Sequence, residues 1–71
     1  MRYFIEQQPK RFYNGSELKT VCSKAKKLTT SYNLVYVIAE TYDADARDYR
    51  PAGSICFADG VEVGREGDCA A

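Results

Sequence analysis

The chain has 71 residues, ten basic and ten acidic side chains, three cysteines and no histidine. That length makes one domain, which buries only about 60% of its unfolded surface and cannot enclose a large active-site cavity. The chain also lacks the roughly 20-residue apolar run of a bilayer span, a signal-peptide pattern at its start, and the commonest general base, which points to a small non-membrane, cytoplasmic protein for which enzyme is the least favoured class.

In chain order, Arg2 to Gln7 reads as a strand because it is rich in aromatic and β-branched residues. Tyr3 and Ile5 fall on one face, and Arg2, Phe4 and Glu6 on the other. Pro9 interrupts it, and Lys10 to Tyr13 forms a short strand returning beside the first. Asn14-Gly15-Ser16 then turns the chain into a helix. Asn14 with Glu17 three residues on has the form of a capping box, and Ser16 is the competing N-cap.

The stretch from Ser16 to Tyr32 organises the rest. Leu18, Val21, Cys22, Ala25, Leu28 and Tyr32 recur at the spacing of an amphipathic helix with one buried stripe. Glu17 in the first turn and Lys24, Lys26 and Lys27 in the second half suit the helix dipole. Asn33 is the expected left-handed stop. This helix is the one cover available to the sheet.

Leu34 to Tyr42 is apolar on both parities and reads as a central strand. Polar Glu40 shares its parity with Tyr36, Ile38 and Tyr42, so Val35, Val37 and Ala39 are placed beneath the helix. Asp43 to Gly53 reads as a long loop, of the kind that is functional or mobile. Ser54 to Ala58 and Val61 to Val63 are strands joined by Asp59-Gly60, a strong signal for a type I′ hairpin. The expected fold is α+β: one amphipathic helix on a mostly antiparallel sheet of four or five strands, in the order β(β)αβββ. The domain is expected to span residues 1–64, with 65–71 a frayed, Gly- and charge-rich tail.

The hairpin sets the faces. A two-residue turn pairs Ala58 with Val61, Phe57 with Glu62, and Cys56 with Val63. Turning Glu62 to water sends Cys56, Ala58, Val61 and Val63 toward the helix. Ile55 and Phe57 then join Phe4, Tyr36 and Ile38 in an aromatic-rich patch on the open face. A slip of one residue swaps the faces and places these residues in the core instead.

The chemistry of sites is sparse. Cys22, Cys56 and Cys69 form an odd set without motif spacing, as expected of reduced cysteines, with Cys22 and Cys56 acting as small buried hydrophobes. A zinc site lacks a fourth ligand. Cys69 is followed by two alanines, one residue short of a prenylation box. There is no Walker loop or Gly-x-Gly-x-x-Gly. Asp43-Ala-Asp45-Ala-Arg47-Asp48 begins like an EF-hand but has Arg at the fifth position, no Gly at the sixth and Ser54 at the twelfth. Catalytic residues, metal and cofactor are therefore all expected to be absent.

Charge is segregated. Through Asn33 the chain carries seven basic and two acidic residues, and beyond it three basic and eight acidic ones. Such asymmetry marks an interaction protein, or two halves that attract each other within one fold. Two surfaces follow. Lys19, Lys24, Lys26 and Lys27 on the helix back form either a nucleic-acid contact or a solvated face. Glu40, Asp43, Asp45 and Asp48, with Tyr42 and Tyr49, form either an ordinary loop or a surface that meets a basic protein. Pairing of two copies through the apolar sheet face is a third possibility, so the chain is a monomer or a homodimer.

The Met-Arg-Tyr-Phe-Ile strand, the Arg-Phe-Tyr segment, the helix Ser-Glu-Leu-Lys-Thr-Val-Cys-Ser-Lys-Ala-Lys-Lys-Leu, Leu-Val-Tyr-Val-Ile and the Phe-Ala-Asp-Gly-Val-Glu-Val hairpin together resemble small phage-encoded α/β proteins of the anti-CRISPR type. The resemblance covers most of the chain and rests on element order and apolar pattern. It implies a stoichiometric inhibitor acting in a host bacterial cytoplasm, which binds a CRISPR effector complex and blocks its nucleic-acid binding or conformational change. Such effectors line their channels with Lys and Arg, which an acidic patch could occupy. The long acidic loop departs from the pattern, and no binding residue is carried over. The alternative is a small nucleic-acid-binding module using the lysine face.

Overall fold

The computed structural model describes residues 1–69. The elements are β1 (Arg2–Gln7), β2 (Lys10–Gly15), α1 (Leu18–Leu28), β3 (Val35–Asp43), β4 (Asp48–Ala58) and β5 (Val61–Gly67). The strands form one antiparallel sheet in the order β2-β1-β3-β4-β5. Helix α1 lies over β1, β3 and β4. This is the expected α+β architecture. Strands β2 and β3 run the same way with β1 inserted between them, so α1 is a crossover connection. The other connections are tight turns. Among the described residues, no helix is long and apolar enough to cross a membrane.

The core is a single layer between sheet and helix. Tyr3, Ile5, Val35, Val37, Ala39, Ile55 and Phe57 from the sheet meet Val21 and Ala25 from α1, and Cys69 closes one end. Leu18 and Cys22 pack at its margin. Strand alternation therefore places Val35, Val37 and Ala39 under the helix, as expected, and leaves Phe4, Tyr36 and Ile38 on the far side.

The face assignment for β4 is corrected. Ile55 and Phe57 are buried under α1, while Val61 and Val63 are 56% and 57% exposed. Magnitude explains the choice: burying Ile55 and Phe57 contributes about 1.5–3 kcal/mol each, more than Cys56 and Ala58 could supply. Glu62 is thereby brought to the helix side, opposite Phe57. It stays in water there because β5 is an edge strand beyond the helix. The expected pairs Ala58–Val61 and Phe57–Glu62 form, but a bulge follows, and Cys56 pairs with Gly64 rather than Val63. Asp59 and Gly60 both have positive φ, 50° and 79°, as a type I′ turn requires.

The helix is shorter than its apolar spacing implies. Asn14 does not cap it; its amide donates to the Phe12 carbonyl at 3.0 Å. Strand β2 continues through Gly15, which pairs with Tyr3, and the N-cap is Glu17 without a side-chain cap bond. At the other end Thr29, not Asn33, stops the helix. Its hydroxyl donates to the Lys26 carbonyl and accepts the Gly60 N–H, each at 2.7 Å. That clamp ties the helix end to the β4–β5 turn and leaves Tyr32 95% exposed.

Two segments read as irregular are ordered. Residues 43–53 are not a loop: β3 and β4 extend into a long hairpin closed by residues 44–47. The Asp43 carboxylate accepts the Asp45 and Ala46 N–H groups at 3.0 and 3.3 Å, which fixes the turn. The tail is not frayed over 65–69. Strand β5 runs to Gly67, the Asp68 N–H donates to the Ala52 carbonyl at 3.0 Å, and Cys69 is buried. The Tyr3 hydroxyl donates to the Cys69 carbonyl at 2.8 Å. Gly53 permits this closure, since a Cβ there would stand 2.6 Å from the Glu66 carbonyl oxygen and 2.9 Å from the Cys69 sulfur. The expectation for Ala70 and Ala71 lies outside the described residues.

Candidate interaction surface

The face of the sheet opposite α1 carries a row of interlocking side chains. It begins at the β2 edge with Tyr13, whose ring meets Phe4 edge-on at 5.7 Å between centroids. The Arg2 guanidinium follows, 5.2 Å from the Phe4 centroid and 3.7 Å from that of Tyr49. Tyr49 then meets Tyr42 edge-on at 5.4 Å across the β3–β4 hairpin. The row spans four of the five strands, β2 to β4, because register brings these positions together: Phe4 opposes both Tyr13 and Ile38, and Tyr42 opposes Tyr49. A bulge at Ala39–Glu40, with Ala52 as the extra residue, keeps Tyr49 on this face.

The charges beside the row are paired with one another, while Glu66, opposite Ser54 on the same face, forms no ion pair among the described residues. Arg2 Nε donates to Glu40 at 2.8 Å, and Arg11 reaches Glu6 at 2.9 Å and Glu40 at 3.9 Å. Tyr36 lies opposite Cys56, whose side chain pushes the phenol pKa up. The surface around the row is therefore aromatic and locally neutral. Tyrosine, phenylalanine and arginine are the residue types enriched at protein–protein interfaces.

The acidic and aromatic residues singled out in the sequence divide between two faces. Glu40, Tyr42 and Tyr49 belong to the open face. Asp43 and Asp48 oppose each other on the helix side of the hairpin, and Asp45 sits in its turn. Asp43 pairs with Arg50 at 2.6 Å, so the charges of both Glu40 and Asp43 are countered within the molecule. Asp45 and Asp48 form no ion pair among the described residues, and Arg47 lies between them in sequence.

The helix lysines are likewise dispersed. Successive positions turn by about 100°, which puts Lys24 and Lys26 on opposite flanks. Lys24 and Lys27 border a groove toward β2, while Lys26 stands 6.0 Å from the Phe57 ring. Lys19 is exposed on the helix. All ion pairs formed among the described residues use arginine. The two oppositely charged halves of the chain are thus not neutralised by lysine–carboxylate pairing.

The cysteines sit apart in chemistry as well as place. Cys22 is on α1 and Cys56 is on the opposite face of the sheet. Burial pushes the thiols of Cys22 and Cys69 up, which favours the unreactive neutral form. At the far edge, Arg65 donates two hydrogen bonds to Glu62 at 2.8 and 3.2 Å, holding that carboxyl below its ordinary range. The described residues include no group of three or more Cys, Asp and Glu side chains placed to hold a metal ion.

Sequence reasoning found Phe4, Tyr42 and Tyr49 but did not join them, and it missed Arg2 and Tyr13. The joining signal is the mirrored run Tyr42-Asp43 and Asp48-Tyr49 about a four-residue turn. Comparison with protein-family models, curated proteins and solved structures found no match.

Proposed function

We propose that this protein works by binding rather than by chemistry, docking its open sheet face onto a partner protein. The observation that carries this reading is the continuous Tyr13–Phe4–Arg2–Tyr49–Tyr42 row on a face that no described element covers. Arg2 and the tyrosines already contact neighbouring side chains, which reduces the side-chain entropy still to be lost on docking. Asp45 and Asp48 at the end of the hairpin add a negative lead that steers the face toward basic surfaces.

The specific role that fits is the one implied by the sequence resemblance: a phage- or mobile-element-encoded inhibitor of a host CRISPR effector complex. It would occupy the effector's basic nucleic-acid channel or hold it from its conformational change. The aromatic row supplies contact area and the hairpin tip supplies the charge. The nucleic-acid module is less favoured, because the helix lysines do not converge and the aromatic face has no uncompensated arginine.

Capture of purified effector complexes by the tagged protein tests this directly. Wild type is expected to bind, and the Tyr42→Ala/Tyr49→Ala variant to lose roughly 30-fold or more in affinity, as hot-spot tyrosines do. Undiminished binding by that variant removes the open face from the account. Salt-sensitive binding of DNA or RNA by the isolated protein, lost in Lys24→Glu/Lys27→Glu, would replace it with the nucleic-acid reading.

A further inference from the structure

A second surface lies on the opposite side of the sheet. Helix α1 packs chiefly over β1, β3 and β4, and the step between it and β2 is a groove of about 480 Å³. Ile5 forms its floor, Phe12 and Leu28 its walls, and Asn14, Lys24 and Lys27 its rim. Phe12 and Leu28 are both substantially exposed there, while Ile5 beneath them is buried. The groove runs beside β2, which ends the sheet and has a strand on one side only. Its outward N–H and C=O groups are a template for one more strand.

We infer that β2 and this groove together accept an extended partner segment bearing an apolar residue with carboxylates two positions to either side. Added antiparallel to β2, such a segment would pair its backbone with the free edge. Side chains at alternate positions would point to the helix side, where the apolar one fills the space between Phe12 and Leu28. The flanking carboxylates would meet Lys24 and Lys27, whose ammonium groups form no ion pair within the described residues. Charge also argues against a second copy as the occupant. Two copies joined edge to edge about a two-fold axis would bring both helices to one side and both lysine pairs together, like charge against like. This surface shares β2 with the aromatic face but lies on the other side of the sheet and omits Tyr42 and Tyr49, so either can fail alone.

The test is a fluorescence-anisotropy titration of the full chain with the capped peptide Glu-Thr-Leu-Thr-Glu. Controls are Lys-Thr-Leu-Thr-Lys and the acidic peptide with every amide N-methylated. Saturable binding of the acidic peptide alone, weakened about tenfold by Lys24→Glu/Lys27→Glu, is the expected result. Amide resonances of residues 10–14 are expected to shift, and those of Tyr42 and Tyr49 to stay in place. Both lysines are exposed, and circular dichroism verifies that the variant retains its fold. Equal binding of the lysine peptide, insensitivity to N-methylation or insensitivity to the lysine changes overturns the inference. So does concentration-dependent dimerisation that shifts the same β2 resonances without peptide, since a second copy would then own the edge.

Discussion

Arg2 lies over Tyr49, its guanidinium carbon 3.7 Å from the ring centroid, while its Nε donates to Glu40 at 2.8 Å. One side chain from the first strand thus locks the far hairpin to the body of the sheet. Arg2→Ala is expected to destabilise the protein by about 1–2 kcal/mol, combining a cation–π contact with a partly buried ion pair. Arg2→Lys should recover less than half of that, because an ammonium cannot both stack and donate in this geometry. Urea midpoints of the three proteins check it.

The corrected face of β4 has a direct thermodynamic signature. Ile55→Ala is expected to cost about 2–5 kcal/mol by opening a cavity under α1. Val61→Ser and Val63→Ser, on the exposed edge, should each stay within about 0.5 kcal/mol. Comparable losses at Ile55 and Val63 would contradict this burial pattern.

Gly53→Ala is expected to unseat residues 68 and 69. The new Cβ would press on backbone at Glu66 and Asp68, neither of which can swing aside. Amide exchange at residues 66–69 should rise, along with the exchange of groups around Tyr3, which loses its acceptor. Gly64→Ala meets nothing within 4 Å and serves as the control.

Stability is expected to fall at alkaline pH. Burial raises the Tyr3 phenol and the Cys22 and Cys69 thiols from ordinary values of 10.0 and 9.0. Groups raised on folding hold their protons longer in the native state. Their contribution is complete below the unfolded values and is lost as pH climbs through 9 and 10 toward the raised ones. Melting temperatures should be flat near neutrality and decline above about pH 9. The decline should be shallower in Tyr3→Phe/Cys22→Ala, even though Tyr3→Phe itself costs about 1 kcal/mol at neutral pH through the lost bond to Cys69.

Much of this fold could be read from residue pattern because local preference and burial agree there. The parity of Tyr3 and Ile5, the stripe of Val21 and Ala25, and the Asp59-Gly60 turn each need only neighbours in sequence. The failures arise where a distant partner decides. Glu62 sits on the helix side because β5 extends past the helix, which its polarity alone does not convey. Thr29 ends α1 because Gly60 reaches it from another turn. Residues 43–53 look like a loop because their apolar content is low, yet Tyr42 and Tyr49 need each other to show that they are strand. The candidate face was hidden for the same reason: its rings come from β1, β2, β3 and β4, and only the register unites them.

The division of labour among the cations has a practical consequence. Guanidinium groups stitch the strands together, and the amines of Lys10, Lys19, Lys24 and Lys27 contribute nothing to that stitching. An acylating reagent would therefore drive the isoelectric point sharply toward acid while leaving every one of these arginine–carboxylate pairs in place, and whichever binding it silenced would be reporting on contact with the outside world rather than on the pairing within the sheet.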